Sequence, residues 1–131
     1  MRSLLFIGLL ITGIYLFAGD TTEVKNSKPK ILYGTASYYS NSFNGKQTAN
    51  GEIYSHKKMT AACNVLPLGT WIKVTNLRNG KSVIVKTNDR LHSKMKRVVD
   101  LSREAADKLG YVKSGLTRVR VEVIGKKKPE K

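Results

Sequence analysis

Apolar and polar residues alternate along three stretches of the chain, residues 70–76, 82–87 and 116–124, which is the period of a half-buried β-strand. In the last stretch Val119, Val121 and Val123 share one face, and Arg118, Arg120 and Glu122 share the other. The valines are therefore expected to face a core and the charges to face water. Asn79-Gly80 lies between the first two stretches, so residues 66–100 read as a β-hairpin around which the rest of the chain is arranged. Its second strand runs out into Asn88-Asp89-Arg90, which puts a carboxylate and a guanidinium at the rim of a sheet. A rim is where a rigid scaffold presents chemistry.

Shorter signals fill in the remaining elements. Residues 31–39 (ILYGTASYY) read as a strand in which Gly34 marks a bulge or a close backbone approach. Residues 40–51 (SNSFNGKQTANG) read as a long surface loop around Phe43, residues 59–63 and 98–101 as short strands, and residues 66–69 as a turn. One helix is expected: Ser102 suits its N-cap, Glu104 its first turn, Lys108 its last turn and Gly110 its C′ position. At two turns it cannot stand alone, so Leu101, Ala105 and Leu109 are expected to pack it against the sheet. Six strands and one helix in so short a domain favour a small closed barrel, mainly β, because closure removes exposed edges. Tyr38 and Tyr39, adjacent in a strand, must point to opposite faces. One is expected to fill the barrel and the other to line a surface groove with Phe43 or Tyr54. Trp71 is expected in the core.

The two ends differ from this pattern. Met1-Arg2-Ser3 is a short basic start, residues 4–17 are apolar apart from Gly8, Thr12 and Gly13, and Ala18 supplies a small residue for cleavage. Residues 1–18 read as a secretory signal peptide, with an uncleaved anchoring helix as the alternative; the run is shorter than the ~20 residues a spanning helix needs. No cysteine lies near the cleavage site, so no lipid attachment is expected. Residues 19–30 are a polar tether, residues 31–124 the domain, and residues 125–131 (GKKKPEK) a basic tail expected to fray.

Charge narrows the partners. With 24 Lys and Arg against 9 acidic residues the formal charge is +15, which favours a polyanion. Nucleic acid would be the usual candidate, but a protein exported to the periplasm or cell envelope does not meet it. Cys63 is the only cysteine, so no internal disulfide can form, and a buried structural thiol is favoured over a nucleophile. No metal-ligand set or cofactor motif is visible.

Several short blocks carry a family resemblance: Gly34 to Tyr39 (GTASYY), Thr48 to Glu52 (TANGE), Thr60 to Ala62 (TAA), Leu66 to Thr70 (LPLGT), Asn88 to Arg90 (NDR) and Val99 to Ser102 (VDLS), together with Val74-Thr75-Asn76-Leu77, Ala105-Ala106 and Leu109-Gly110. In this order and spacing they resemble the rare lipoprotein A family over about residues 33–124. The resemblance implies a six-stranded double-psi β-barrel, as in expansins, barwins and one group of fungal endoglucanases. It also implies endolytic cleavage of peptidoglycan between N-acetylmuramic acid (MurNAc) and N-acetylglucosamine (GlcNAc) by a lytic transglycosylase, in cell-wall remodelling, leaving a 1,6-anhydro end.

Such a reaction can run on one carboxylate, which protonates the leaving oxygen and then takes the proton of the substrate's C6 hydroxyl. The resemblance gives that role to Asp89 and a second, supporting carboxylate to Glu52. Taken alone, an Asp followed by an Arg at a strand end is more often a loop cap with a surface salt bridge than a catalytic acid. Active members carry a histidine where this chain has Cys63, and a thiol is a weak donor that cannot copy an imidazole. A second departure is residues 91–97 (LHSKMKR), where the family usually continues with Gly-Pro; the loop beside the acid is reshaped and more basic. Tyr39, Phe43, Asn50, Thr60 and Arg90 are candidate substrate-binding residues. Lys57, Lys58, Lys73, Lys81, Lys86 and Arg103 are candidates for a surface that holds anionic wall polymer, with scattered solvated lysines as the alternative. The expectation is a monomer acting on glycan strands, with an expansin-like binding module whose chemistry has lapsed as the alternative.

Overall fold

The computed structural model describes residues 30–130, so the predicted signal peptide and most of the tether lie outside the described residues. Six strands, β1 (Ile31–Tyr38), β2 (Thr60–Ala62), β3 (Trp71–Asn76), β4 (Ser82–Asp89), β5 (Val99–Leu101) and β6 (Thr117–Gly125), close into a barrel in the order β1-β5-β2-β4-β3-β6. The β1/β5 and β2/β4 pairs are parallel and the other pairs antiparallel. Parallel neighbours need crossover connections, and here those connections supply the loops that build the site.

Alternation along the strands fills the barrel. Ile72, Val74, Val85, Val99, Leu101, Val119 and Val121 are all essentially inaccessible to water. The expected hairpin joins β3 to β4 through Leu77, Arg78, Asn79 and Gly80, with Asn76 N–H donating to the Lys81 carbonyl at 2.8 Å. Gly80 sits at φ +79°, a conformation other residues adopt at a cost. The helix α1 (Arg103–Leu109) also forms as expected: the Ser102 hydroxyl accepts the Ala105 N–H, and Gly110 ends the helix in the left-handed region. Ala105, Ala106 and Leu109 are buried against the barrel. Asn76 and Asn79 each donate a side-chain N–H to the Leu109 carbonyl at 2.9 Å, tying the helix end to the hairpin loop.

Three expectations are corrected. Trp71 is half-buried on the outside of the barrel, because Ile72 and Val74 point inward and alternation then puts Trp71 and Lys73 outward. The tail does not simply fray: Lys126 Nζ donates to the Leu68 carbonyl at 2.7 Å, and Lys128 lies 5.6 Å from the Trp71 ring centre. Neither Tyr38 nor Tyr39 fills the barrel; Tyr38 packs at its edge against Tyr111, which is the largest fully buried side chain. Of the two readings offered for Gly34 the close approach holds: its pairing with Val119 is regular, and an added Cβ would lie 2.8 Å from Val98 Cβ.

Candidate active site

The site begins with one extra residue in β4. Thr87 pairs with Ala61, and the next pair is Asp89 with Ala62, so Asn88 is an insertion in the ladder. Thr87 is fully buried against the core, and uninterrupted alternation would send Asp89 to the same side. The bulge reverses the phase and brings Asp89 out beside Ala62. Ala62 belongs to a second, smaller apolar cluster with Tyr39, Tyr54 and Leu91, outside the barrel core.

The loop from Thr48 to Glu52 grips this bulge. Ala49 N–H donates to Asp89 Oδ1 at 2.9 Å, Asn50 N–H to the Asn88 carbonyl at 3.2 Å, and Asn88 Nδ2 to Glu52 Oε1 at 2.9 Å. The loop's shape is set locally: Asn50 Oδ1 accepts from the Thr48 hydroxyl and from Glu52 N–H, and Gly51 takes φ +94°. The Asn88 amide first of all, with Asn50 and Lys86, holds Glu52 below the usual carboxylate range against the opposing effect of burial. Lys86 Nζ lies 3.4 Å from Glu52 Oε2.

Asp89 is held by three donors. Oδ1 accepts from Ala49 N–H and, at 2.8 Å, from Arg90 N–H; Oδ2 accepts from the Tyr39 hydroxyl at 2.7 Å. Tyr39 is itself fixed, stacked on Tyr54 with ring centres 4.1 Å apart and met edge-on by Phe43. Burial first, and then the Asp89 carboxylate, push the Tyr39 phenol far above its ordinary pKa, so it stays a donor. The Arg90 guanidinium turns to backbone, donating from Nη1 to the carbonyls of Cys63 and, at 2.7 Å, of Leu66. Cys63 N–H donates to the Asp89 carbonyl at 3.0 Å, while its thiol is buried in the barrel core.

These groups border a groove of about 280 Å³. Of the residues singled out in the sequence, Tyr38, Tyr39, Phe43, Asp89 and Arg90 line it, and Asn50, Glu52, Tyr54, Thr60 and Cys63 do not. Glu52 reaches the site through Asn88, Asn50 through the backbone of the bulge, and Thr60 accepts the Ser102 N–H at the helix start. Sequence reasoning missed Asp100 and placed Arg97 only within the reshaped loop; both also line the groove. A signal was present, because a lone acid between Val99 and Leu101 in a strand must face away from the core that takes its neighbours. His92, from the reshaped loop, lines the groove as well.

Residues 32–121 match a family model described as lytic transglycolase (DPBB_1). The endolytic peptidoglycan transglycosylase RlpA of Pseudomonas aeruginosa is 55% identical over 84% of this chain and 33% of its own length. That of Vibrio cholerae is 47% identical over 82% of this chain and 41% of its own length. The chain thus spans less than half the length of the curated relatives it matches. The Clavibacter michiganensis expansin superposes with a TM-score of 0.60 at 21% identity, over 78% of this chain and 53% of the expansin. A Streptomyces papain inhibitor gives 0.60 at 20% identity over 72% of this chain and 94% of its own. Both likenesses establish the barrel and nothing further. On the family match and the identity to its relatives, the chain belongs to the rare lipoprotein A-like lytic transglycolases, built on a double-psi β-barrel.

Proposed function

We propose that this chain is an endolytic peptidoglycan lytic transglycosylase that cleaves between MurNAc and GlcNAc, leaving 1,6-anhydro ends, and that Asp89 is its acid and base. The observation that carries this reading is the bulge, which turns one carboxylate out of the barrel into an open groove and fixes both its oxygens. Oδ1 is committed to two N–H donors, which cannot accept a proton, so the transferable proton belongs on Oδ2. In the first half Asp89 gives that proton to the glycosidic oxygen as the bond from C1 breaks. In the second it takes the proton of the C6 hydroxyl as that oxygen bonds to C1, and no water is consumed. Tyr39 holds Oδ2 in place, and Glu52 acts through Asn88 by bracing the bulge. The apolar run at residues 4–17 supports export, with residues 1–18 as the signal. The positive charge supports contact with anionic wall polymer.

Buried Cys63 favours a second reading, an expansin-like module that binds glycan without cutting it, since position 63 brings no imidazole to the groove. Digestion of purified glycan strands followed by mass spectrometry separates the two. The enzyme releases 1,6-anhydro products that vanish in Asp89→Asn, whereas capture on sacculi with no new anhydro ends in the wild type supports the binder and defeats the enzyme.

A further inference from the structure

We propose that Asp100 is a second catalytic carboxylate of the groove, set across Ala62 from Asp89 and oriented by Arg97, and that it stabilises positive charge developing on the cleaved sugar. The inference rests on the transglycosylase reading given above. It starts from sheet register. Ala62 is the partner of Asp89 on β4 and of Asp100 on β5, so the three lie in one row on one face of the sheet. Two inter-strand steps of about 4.8 Å place the two aspartate Cα atoms roughly 10 Å apart. Ala62 lies between them on the groove wall, packed with Tyr39 and Leu91, and both carboxylates border the same groove.

Asp100 has nowhere else to go. Val99 and Leu101 are fully buried in the barrel, so the side chain between them must leave it, and it emerges in the groove that holds Asp89. Both of its oxygens meet Arg97, with Nε to Oδ1 at 2.7 Å and Nη2 to Oδ2 at 3.0 Å. This planar fork fixes the carboxylate's orientation and leaves each oxygen a further lone pair. The Asp100 side chain is only 16% exposed and Arg97 27%, so the pair is shielded from bulk water, where a charge acts more strongly on its neighbours. By contrast the Glu52 carboxylate is 43% exposed and bound to Asn88 and Lys86 away from the groove.

The chemistry needs a fixed negative group at this place. Breaking the bond from C1 develops oxocarbenium-like charge on the sugar ring before the C6 oxygen arrives. Asp89 manages the proton; Asp100 keeps its charge throughout, forms no bond and moves no proton. Arg97 is a positioning residue, and it comes from the reshaped basic loop.

The test compares wild type, Asp89→Asn, Asp100→Asn, Asp100→Glu and Arg97→Gln on purified glycan strands, reading kcat, KM and thermal midpoint. Removal of a preorganised electrostatic group costs on the order of 10²–10³ in kcat, so Asp100→Asn is expected to fall by that factor with KM little changed, measured well below a thermal midpoint that the lost ion pair also lowers. Asp100→Glu, which keeps both charge and ion pair but moves the carboxylate, is expected to fall at least about tenfold, and Arg97→Gln by less than Asp100→Asn. A brace holding only the start of β5 would lower the thermal midpoint and leave kcat alone. If Asp89→Asn is dead while Asp100→Asn keeps kcat within about twofold of wild type, the inference is overturned and the transglycosylase reading stands. Should Asp100→Asn fail to fold, wild-type kcat in Asp100→Glu has the same force. A wild type that yields no anhydro product removes the transglycosylase reading and this inference with it.

Discussion

Replacing Tyr39 with Phe isolates the bond that orients the acid. The hydroxyl donates to Asp89 Oδ2 at 2.7 Å, and the ring's stacking on Tyr54 and edge contact with Phe43 survive the change. What is lost is one hydrogen bond to a charged group, worth about 1.5–3 kcal/mol. Asp89 borders the groove and is partly hydrated there, so the lower end applies, about 1.5 kcal/mol. For a domain of this size 1 kcal/mol moves the thermal midpoint by roughly 4–8 °C, so Tyr39→Phe is expected to melt about 6–12 °C lower. A cycle with Asp89→Ala and the double variant, measured by urea unfolding, separates the bond from any change in packing. Its coupling energy should be at least about 1 kcal/mol, and a value below about 0.5 kcal/mol would refute the claim that Tyr39 tethers the acid.

Glu52→Gln should lower stability at neutral pH by at most about 1 kcal/mol, because the carboxylate is largely open to water. The folded pKa of Glu52 lies below its unfolded value, so its contribution is complete above the unfolded value of about 4.3 and is lost as pH falls through the folded one. The gap in melting point between wild type and Glu52→Gln should therefore close below about pH 4, and a gap that persists at pH 2 contradicts the clasp. Gly34→Ala should destabilise by about 1–3 kcal/mol by driving a methyl group into Val98, although the same change at a free site stabilises by about 0.4–1 kcal/mol; the sign of the shift decides. The Cys63 thiol should resist alkylation in the native protein and react once urea unfolds it, and labelling at equal rates in both states would show that the thiol is not buried.

Local pattern was enough to read the strands, their core faces and their punctuation. Period-two alternation in β3, β4 and β6 decides which side chains fill the core, and Ser102 with Gly110 bounds the helix, because these are local properties of backbone and side chain. Asp89 could be placed at a strand end, and family likeness could attach chemistry to it. Which way it faces was decided only in three dimensions. The extra residue in β4 is visible as a bulge only once Ala61 and Ala62 are laid beside Thr87 and Asp89, and that pairing joins strands separated by the whole of β3. The same holds for Asp100, which shares a row with Asp89 because β2 lies between β4 and β5 in the closed sheet. Alternation is written within each strand, but register between distant strands is set by closure of the barrel. A shift of one residue there turns a buried carboxylate into one that can meet a substrate.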